Sequence, residues 1–405
     1  MALPLKKAST STAAEIGTTS GSKKLLMVFV STLISLLIAE GAVRFAKRGV
    51  AFQPDPELIR SLSPNTHTKV INYESDENLN GLSSELPSRP VYHGNNNTNN
   101  IAFRMGEDVG EKAPDEERVL LLGDSYTEAD QVTNEQRFSY LVDQRLRAET
   151  ANGPRHVRVL NGGIQGGAPS QYILQLRKWL PTLKPDVVIV NLAPNDINDD
   201  LLFERLNGFT FDADGAPLAP KAQLPLWLMQ KSYLLRYFHV LLQHMGSARA
   251  MDFFFPPAMP DTPIVEWTSI LCSDDATARE MFPKKTGKYL NQIKAMVEAS
   301  GARFGVFLIH YMWTFDDEPY YEPRFPTFKT EMRECYASHG RPYNEFIESY
   351  LHEHGMTFHN PLEALLRAKA ENPKRKLWNF FDYHYSPAGH QVNADEMLVL
   401  IKKLL

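Results

Sequence analysis

Cysteine is scarce in this chain. Only Cys272 and Cys335 occur in 405 residues, in no metal-ligand spacing. Two readings of them stay open: one disulfide, if the domain lies in an oxidising compartment, or two reduced, buried thiols. No His-Glu-x-x-His run is present, so neither a metal nor any other cofactor is implied. No Gly-x-x-x-x-Gly-Lys loop is present either, which argues against a Walker-type nucleotide binder. Positive charge is in deficit, at a net −5. The imbalance is uneven: the first 50 residues hold seven basic and two acidic residues, which leaves the remainder at −10. Such an acidic body lacks the basic face that a nucleic-acid partner requires. No internal repeat occurs.

What is there is a globular composition, 43% hydrophobic and 22% charged, with length for one large or two medium domains. Residues 1–22 are rich in Ser, Thr, Ala and Lys and read as a disordered tail. Leu25 to Ala39 is apolar except for Ser and Thr, and with Gly41 to Ala46 it reaches the roughly 20 residues that cross a bilayer. Residues 23–48 are therefore expected to form a transmembrane anchor. Two rival readings are a cleaved signal peptide and a hydrophobic helix docked on the domain. Four basic residues on one side and three on the other barely set orientation. Residues 49–115 look irregular, with a turn-prone cluster at Asn95 to Asn100, and read as a linker and N-terminal extension.

From residue 116 to 405 the pattern alternates. Apolar runs at Val119–Leu122, Val157–Leu160, Asp186–Leu192, Arg303–Ile309 and Met356–Phe358 read as strands. Between them, Phe138/Leu141/Val142/Leu146, Ile173/Leu176/Leu180, Leu290/Ile293/Val297 and Phe346/Ile347/Tyr350/Leu351 recur at helical spacing. Leu362/Leu365/Leu366 and Met397/Leu400/Ile401/Leu404 mark two more helices. Strand–helix alternation predicts an α/β protein, a three-layer α/β/α sandwich on a mostly parallel sheet. Residues 198–287 break the pattern with eight prolines among aromatic patches, and read as an insertion with a helix over Leu224–His244. Its aromatic residues Trp227, Tyr233, Tyr237 and Trp267 fit either a saccharide-facing cleft or ordinary packing.

Chemistry-bearing residues follow these strands. Gly123-Asp124-Ser125 ends the first one, where a small nucleophile on a glycine turn faces the ligand side of an open sheet. Asn161-Gly-Gly-Ile-Gln-Gly-Gly167 follows the second, Ala193-Pro-Asn-Asp196 the third, and Asp382-Tyr-His384 comes before the last helix. This ordered set resembles the conserved blocks of the GDSL family, also called SGNH hydrolases, and Ile101–Gly106 resembles the lead-in of its anchored members. The resemblance covers roughly residues 100–405 outside the insertion. It implies the flavodoxin-like fold of that family. Ser125 would be the nucleophile, His384 the base and Asp382 its orienter. The N–H of Ser125, the N–H of Gly166 and the side-chain amide of Asn195 would form the oxyanion hole. Two departures stand out: Ala193 replaces a glycine, and the spacing is Asp-x-His rather than Asp-x-x-His. His310 reads as a cleft-lining or buried residue, and His390 as packing the last helix.

The implied function is a membrane-anchored serine esterase. It would cleave O-acyl esters, acetyl foremost, through an acyl-enzyme on Ser125, with a saccharide as a candidate substrate. Location would be a bacterial-type inner membrane, single-pass, with the catalytic domain in the periplasm. An O-acyltransferase onto a cell-surface polysaccharide shares the same machinery. A non-catalytic binding or assembly module on the same fold is the alternative of another class.

Overall fold

In the computed structural model, the residues described are 21–45, 52–55, 57–72, 91–207, 210–218, 231–235, 238, 275–311, 314, 343–378 and 384–405. Five strands form one sheet in which every pair is parallel: β5 (Glu116–Leu122), β6 (His156–Asn161), β7 (Val187–Leu192), β10 (Arg303–Leu308) and β11 (Thr357–His359), the numbering allowing for the short strands described below. Their spatial order is β6-β5-β7-β10-β11. The chain therefore moves from β5 outward to β6, then crosses back to β7. That reversal is the switch point at which open α/β sheets bind ligands.

The strands are near-continuous apolar runs because both faces are covered. All six residues of β7 are buried, as are Val119 to Leu122 of β5. Helices α3 (Phe138–Thr150) and α10 (Pro387–Leu404) pack together in one outer layer. Helices α4 (Pro169–Leu183) and α7 (Thr286–Ala299) pack together in another. Further helices among the described residues are α5 (Asp196–Asn207), α6 (Asp275–Lys284), α8 (343–353) and α9 (Leu362–Glu371). Crossovers of the usual right hand, one on each side of such a switch point, put helices on opposite faces of a sheet.

The described residues of 49–115 hold more regular structure than expected. Strands β1 (Phe52–Asp55) and β2 (Ile59–Leu62) pair antiparallel, as do β3 (His67–Asn72) and β4 (Val91–Asn97). These strands are short and polar, so they show no period-two alternation to detect. The following segment is built into the domain: Phe103 and Arg104 are buried, and Phe103 meets Trp179 edge-on with ring centroids 5.4 Å apart. The interruption of the alternating pattern also has helical edges. α5 runs on to Asn207, and α6 and α7 begin before residue 287. α5 carries Asp196 and Asp199 in its first turn, where the helix dipole favours acids. Beyond it lie β8 (Thr210–Phe211) and β9 (Pro217–Leu218), a minimal hairpin. Most of Leu224–His244 lies outside the described residues, as do Cys272, Cys335, Trp227, Tyr237 and Trp267.

Ile189 sits fully buried at the centre of β7, paired with Leu121 on one side and Gly305 on the other. Ile189→Ala is expected to cost ~2–5 kcal/mol through lost burial and a cavity. A fall in the urea midpoint at unchanged slope would show it.

Candidate active site

β5 ends at Leu122, and the chain turns through Gly123 at once into α2 (Ser125–Glu128). A side chain at position 123 would overlap the Thr127 hydroxyl and come within 3.0 Å of Asn191 Cβ. Asp124 caps the helix, accepting from the Tyr126 N–H at 2.9 Å. Ser125 is thus the first residue of a helical turn at the carboxyl end of β5. Its N–H has no earlier turn to pair with. Among the described residues no hydrogen bond takes up that N–H.

His384 comes from far along the chain and meets this turn. Its Nε2 lies 2.7 Å from Ser125 Oγ, across 259 positions. The imidazole is buried and lies against the Tyr126 ring, centroids 4.6 Å apart. Tyr126 stacks in turn on Tyr311 and meets Tyr385 edge-on. The chain after His384 is held firmly. Tyr385 donates to the His310 carbonyl at 2.7 Å, and Ser386 caps α10 while donating to the Lys376 carbonyl at 2.7 Å. Asp382 lies outside the described residues.

The glycine-rich loop after β6 lies flat on α2. A side chain at Gly163 would overlap the backbone of Glu128 and Thr127. Asn161 ties the two together: its Nδ2 donates to the Thr127 carbonyl at 2.8 Å, and its Oδ1 accepts from the Gly163 N–H at 3.0 Å. Gly166 has φ of +61°, a conformation glycine adopts without strain. After β7, Asn195 points into the domain. Its Nδ2 donates to Asp124 Oδ2 at 3.1 Å and to Asp199 Oδ2 at 2.6 Å. Both hydrogens of this amide are therefore engaged by carboxylates. The departure at Ala193 is accommodated, since its N–H donates to Asp196 Oδ2 at 2.7 Å.

Asp124, Asp196, Asp199 and Asp200 are all buried beneath this edge. Burial pushes the Asp124 carboxyl up, against the hydrogen bond from Asn195 and the charge of His384. Burial and the charges of Asp124 and Asp200 push Asp196 well above the carboxylate range. The Asp200 carboxylate accepts from the Ser170 N–H at 2.8 Å and the Thr286 hydroxyl at 2.7 Å, joining α4, α5 and α7.

The imidazoles of His310 and His390 are engaged elsewhere. His310 is fully buried, with Nε2 2.6 Å from Asn360 Oδ1 and Nδ1 3.2 Å from Asn344 Nδ2. His390 stacks on Phe138 and accepts its N–H, holding α10 to α3. The sequence reading missed Tyr126, Arg104 and Glu128. Glu128 closes the nucleophile block but reads as an ordinary acid in a first helical turn, so only its burial draws notice.

Fold and site place the chain among α/β proteins with a serine–imidazole pair at the carboxyl edge of a parallel sheet. The chain belongs to the GDSL-like lipase/acylhydrolase family, whose model matches residues 121–392, and is an ester-hydrolysing enzyme. No curated protein matches it significantly. Similar solved structures include an acetyl xylan esterase (11% identity, TM-score 0.38, covering 70% of this chain and 99% of that one). Another is an acetyl xylan esterase from Geobacillus stearothermophilus (16%, 0.33, 70% and 94%). A third is a GDSL-like lipase from Bacteroides thetaiotaomicron (12%, 0.34, 73% and 93%).

The buried histidines make stability pH-dependent. Burial lowers His310 from 6.5 to about 4, and His390 to about 3. Between pH 6.5 and 4 the unfolded chain holds protons that the folded chain lacks, so stability falls as pH drops through that window. His310→Gln should flatten the fall by about 1.4 kcal/mol per pH unit, read from urea midpoints at several pH values for variant and wild type.

Proposed function

We propose that this enzyme is a membrane-anchored serine esterase that cleaves O-acyl esters outside the cytoplasm. The observation that carries the mechanism is the 2.7 Å contact between His384 Nε2 and Ser125 Oγ. A serine hydroxyl is a weak nucleophile until a neighbouring base takes its proton. His384 takes that proton as Ser125 Oγ attacks the ester carbonyl, then gives it to the departing alcohol. Water repeats the sequence on the acyl-enzyme, with His384 again the base. Asp382, two residues before His384, is assigned to hold its tautomer.

The tetrahedral intermediate carries a negative oxygen. The N–H groups of Ser125 and Gly166 and the Asn195 amide are assigned to meet it. For Asn195 this requires an exchange: one amide hydrogen must leave Asp199 or Asp124 for the oxyanion. Ser125→Ala is expected to lower kcat on a short-chain acyl ester by at least ~10³-fold with folding intact. Equal turnover of purified wild type and variant would remove the serine mechanism.

Anchoring rests on α1 (Gly21–Phe45). Its Lys23–Phe45 window has mean hydropathy 2.2 and no buried share, and 23 residues of helix span about 35 Å. A cleaved signal would have the same composition, but α1 is also bonded to the domain. Glu40 accepts from the Ser232 hydroxyl at 2.8 Å and from the N–H groups of Tyr233 and Leu234, both at 2.9 Å. Arg44 pairs with Glu40, donates to the Lys231 carbonyl and lies over the Tyr233 ring. Cleavage after α1 would strip these donors of their acceptor. This supports a retained anchor with residues 231–235 beside the membrane surface. Intact-mass measurement of the membrane fraction should find α1 still attached, and protease added to spheroplasts should digest the domain. A soluble product lacking α1, or a protected domain, would refute this placement.

A further inference from the structure

The mechanism uses the Gly166 N–H, yet says nothing of what aims it. Four neighbouring amides of the same loop are already paired. Gly163 N–H goes to Asn161 Oδ1 at 3.0 Å, Ile164 N–H to the Gly123 carbonyl at 2.9 Å, and Gly167 N–H to the Ile164 carbonyl at 2.8 Å. Gln165 N–H goes to a side chain, Glu128 Oε2, at 2.6 Å. Among the described residues no hydrogen bond takes up the N–H of Gly166, the remaining amide of residues 163–167.

Glu128 is itself clamped. Its other oxygen, Oε1, accepts from Arg104 Nε at 3.0 Å and from Arg104 Nη2 at 2.8 Å. Arg104 and Glu128 have side chains only 6% and 1% exposed. A second buried guanidinium, Arg137, donates to the Arg104 carbonyl at 2.8 Å, to the Ala129 carbonyl at 3.1 Å and to Asn96 Oδ1. Burial, then the charge of Arg104, pulls Arg137 down to about 9. Two cations and a carboxylate in a dry site are costly to desolvate and add little net stability. Their arrangement instead joins three separate segments: the lead-in to the domain, the end of the nucleophile helix and the glycine loop.

We propose that Arg104 and Glu128 are a positioning pair for the reaction: the carboxylate, oriented by the guanidinium, holds the Gln165 amide inward so that the Gly166 N–H is offered to the oxyanion. This rests on the esterase mechanism above. Gln would present an NH2 group either to Arg104 or to the Gln165 N–H, so one end of the bridge must open. A loop amide displaced by about 1 Å costs up to 10²-fold in rate.

The test is Glu128→Gln in the full chain, assayed on a short-chain acyl ester after titrating active sites with a fluorophosphonate. Expected is a kcat per titrated site about 10- to 100-fold below wild type, KM within about twofold, and an unchanged pH profile of kcat/KM. A merely structural role would lower the titrated fraction and leave turnover per site as in wild type, and that result overturns the proposal. A changed KM at constant kcat overturns it as well. If Glu128→Gln does not fold, Arg104→Lys, which keeps the charge but loses the two-pronged grip, is judged by the same criteria. Wild type that neither titrates nor turns over would instead refute the esterase mechanism.

Discussion

Position 123 has room for a hydrogen and nothing larger. The strand must end, and the nucleophile helix must begin, with Thr127 and Asn191 pressed against that Cα. This constraint sets where Ser125 stands. It also draws Asn191 Nδ2 onto the Thr127 hydroxyl at 2.9 Å, so β7 is keyed to the turn by the same contact. The glycine loop repeats the device at Gly163, whose bare Cα lets one backbone lie directly on another. Close backbone approach, rather than any one strong bond, brings the site elements together.

Three buried carboxylates behind the site each accept hydrogen bonds that also position a neighbour. Asp124 caps α2 and holds Asn195. Asp200 ties α4, α5 and α7. Glu128 ties α2, the glycine loop and the lead-in. A buried charge of this kind is expensive, but it has few alternative geometries once its partners are in place. The site thus exchanges some stability for fixed directions of hydrogen bonding. The Glu40 contacts extend the same logic outward, joining the apolar helix to residues 231–235 of the insertion.

Much of this was readable in advance. The five strands of the sheet announce themselves as largely apolar runs of three to seven residues because both faces of a parallel sheet are buried. Three of the four chemical blocks directly follow strands, which placed Ser125, Gly166 and Asn195 along one edge. Other features left no such trace. β1 to β4 are short and polar. The helical edges of the interruption were obscured by prolines, one of which, Pro283, sits inside α6. Nothing in a composition distinguishes the buried, bridging Glu128 from a solvated helix acid, or shows that the Asn195 amide is held between two carboxylates.

By itself, the order of residues determined the architecture and the kinds of groups at its carboxyl edge. Periodicity and turn chemistry act over a few residues and survive without knowledge of distant neighbours. Only the tertiary structure decided that an imidazole from the C-terminal region reaches the hydroxyl of Ser125, and that an arginine from the N-terminal extension reaches the nucleophile helix. Those contacts join segments with no local relation to each other, and packing alone brings them within bonding distance.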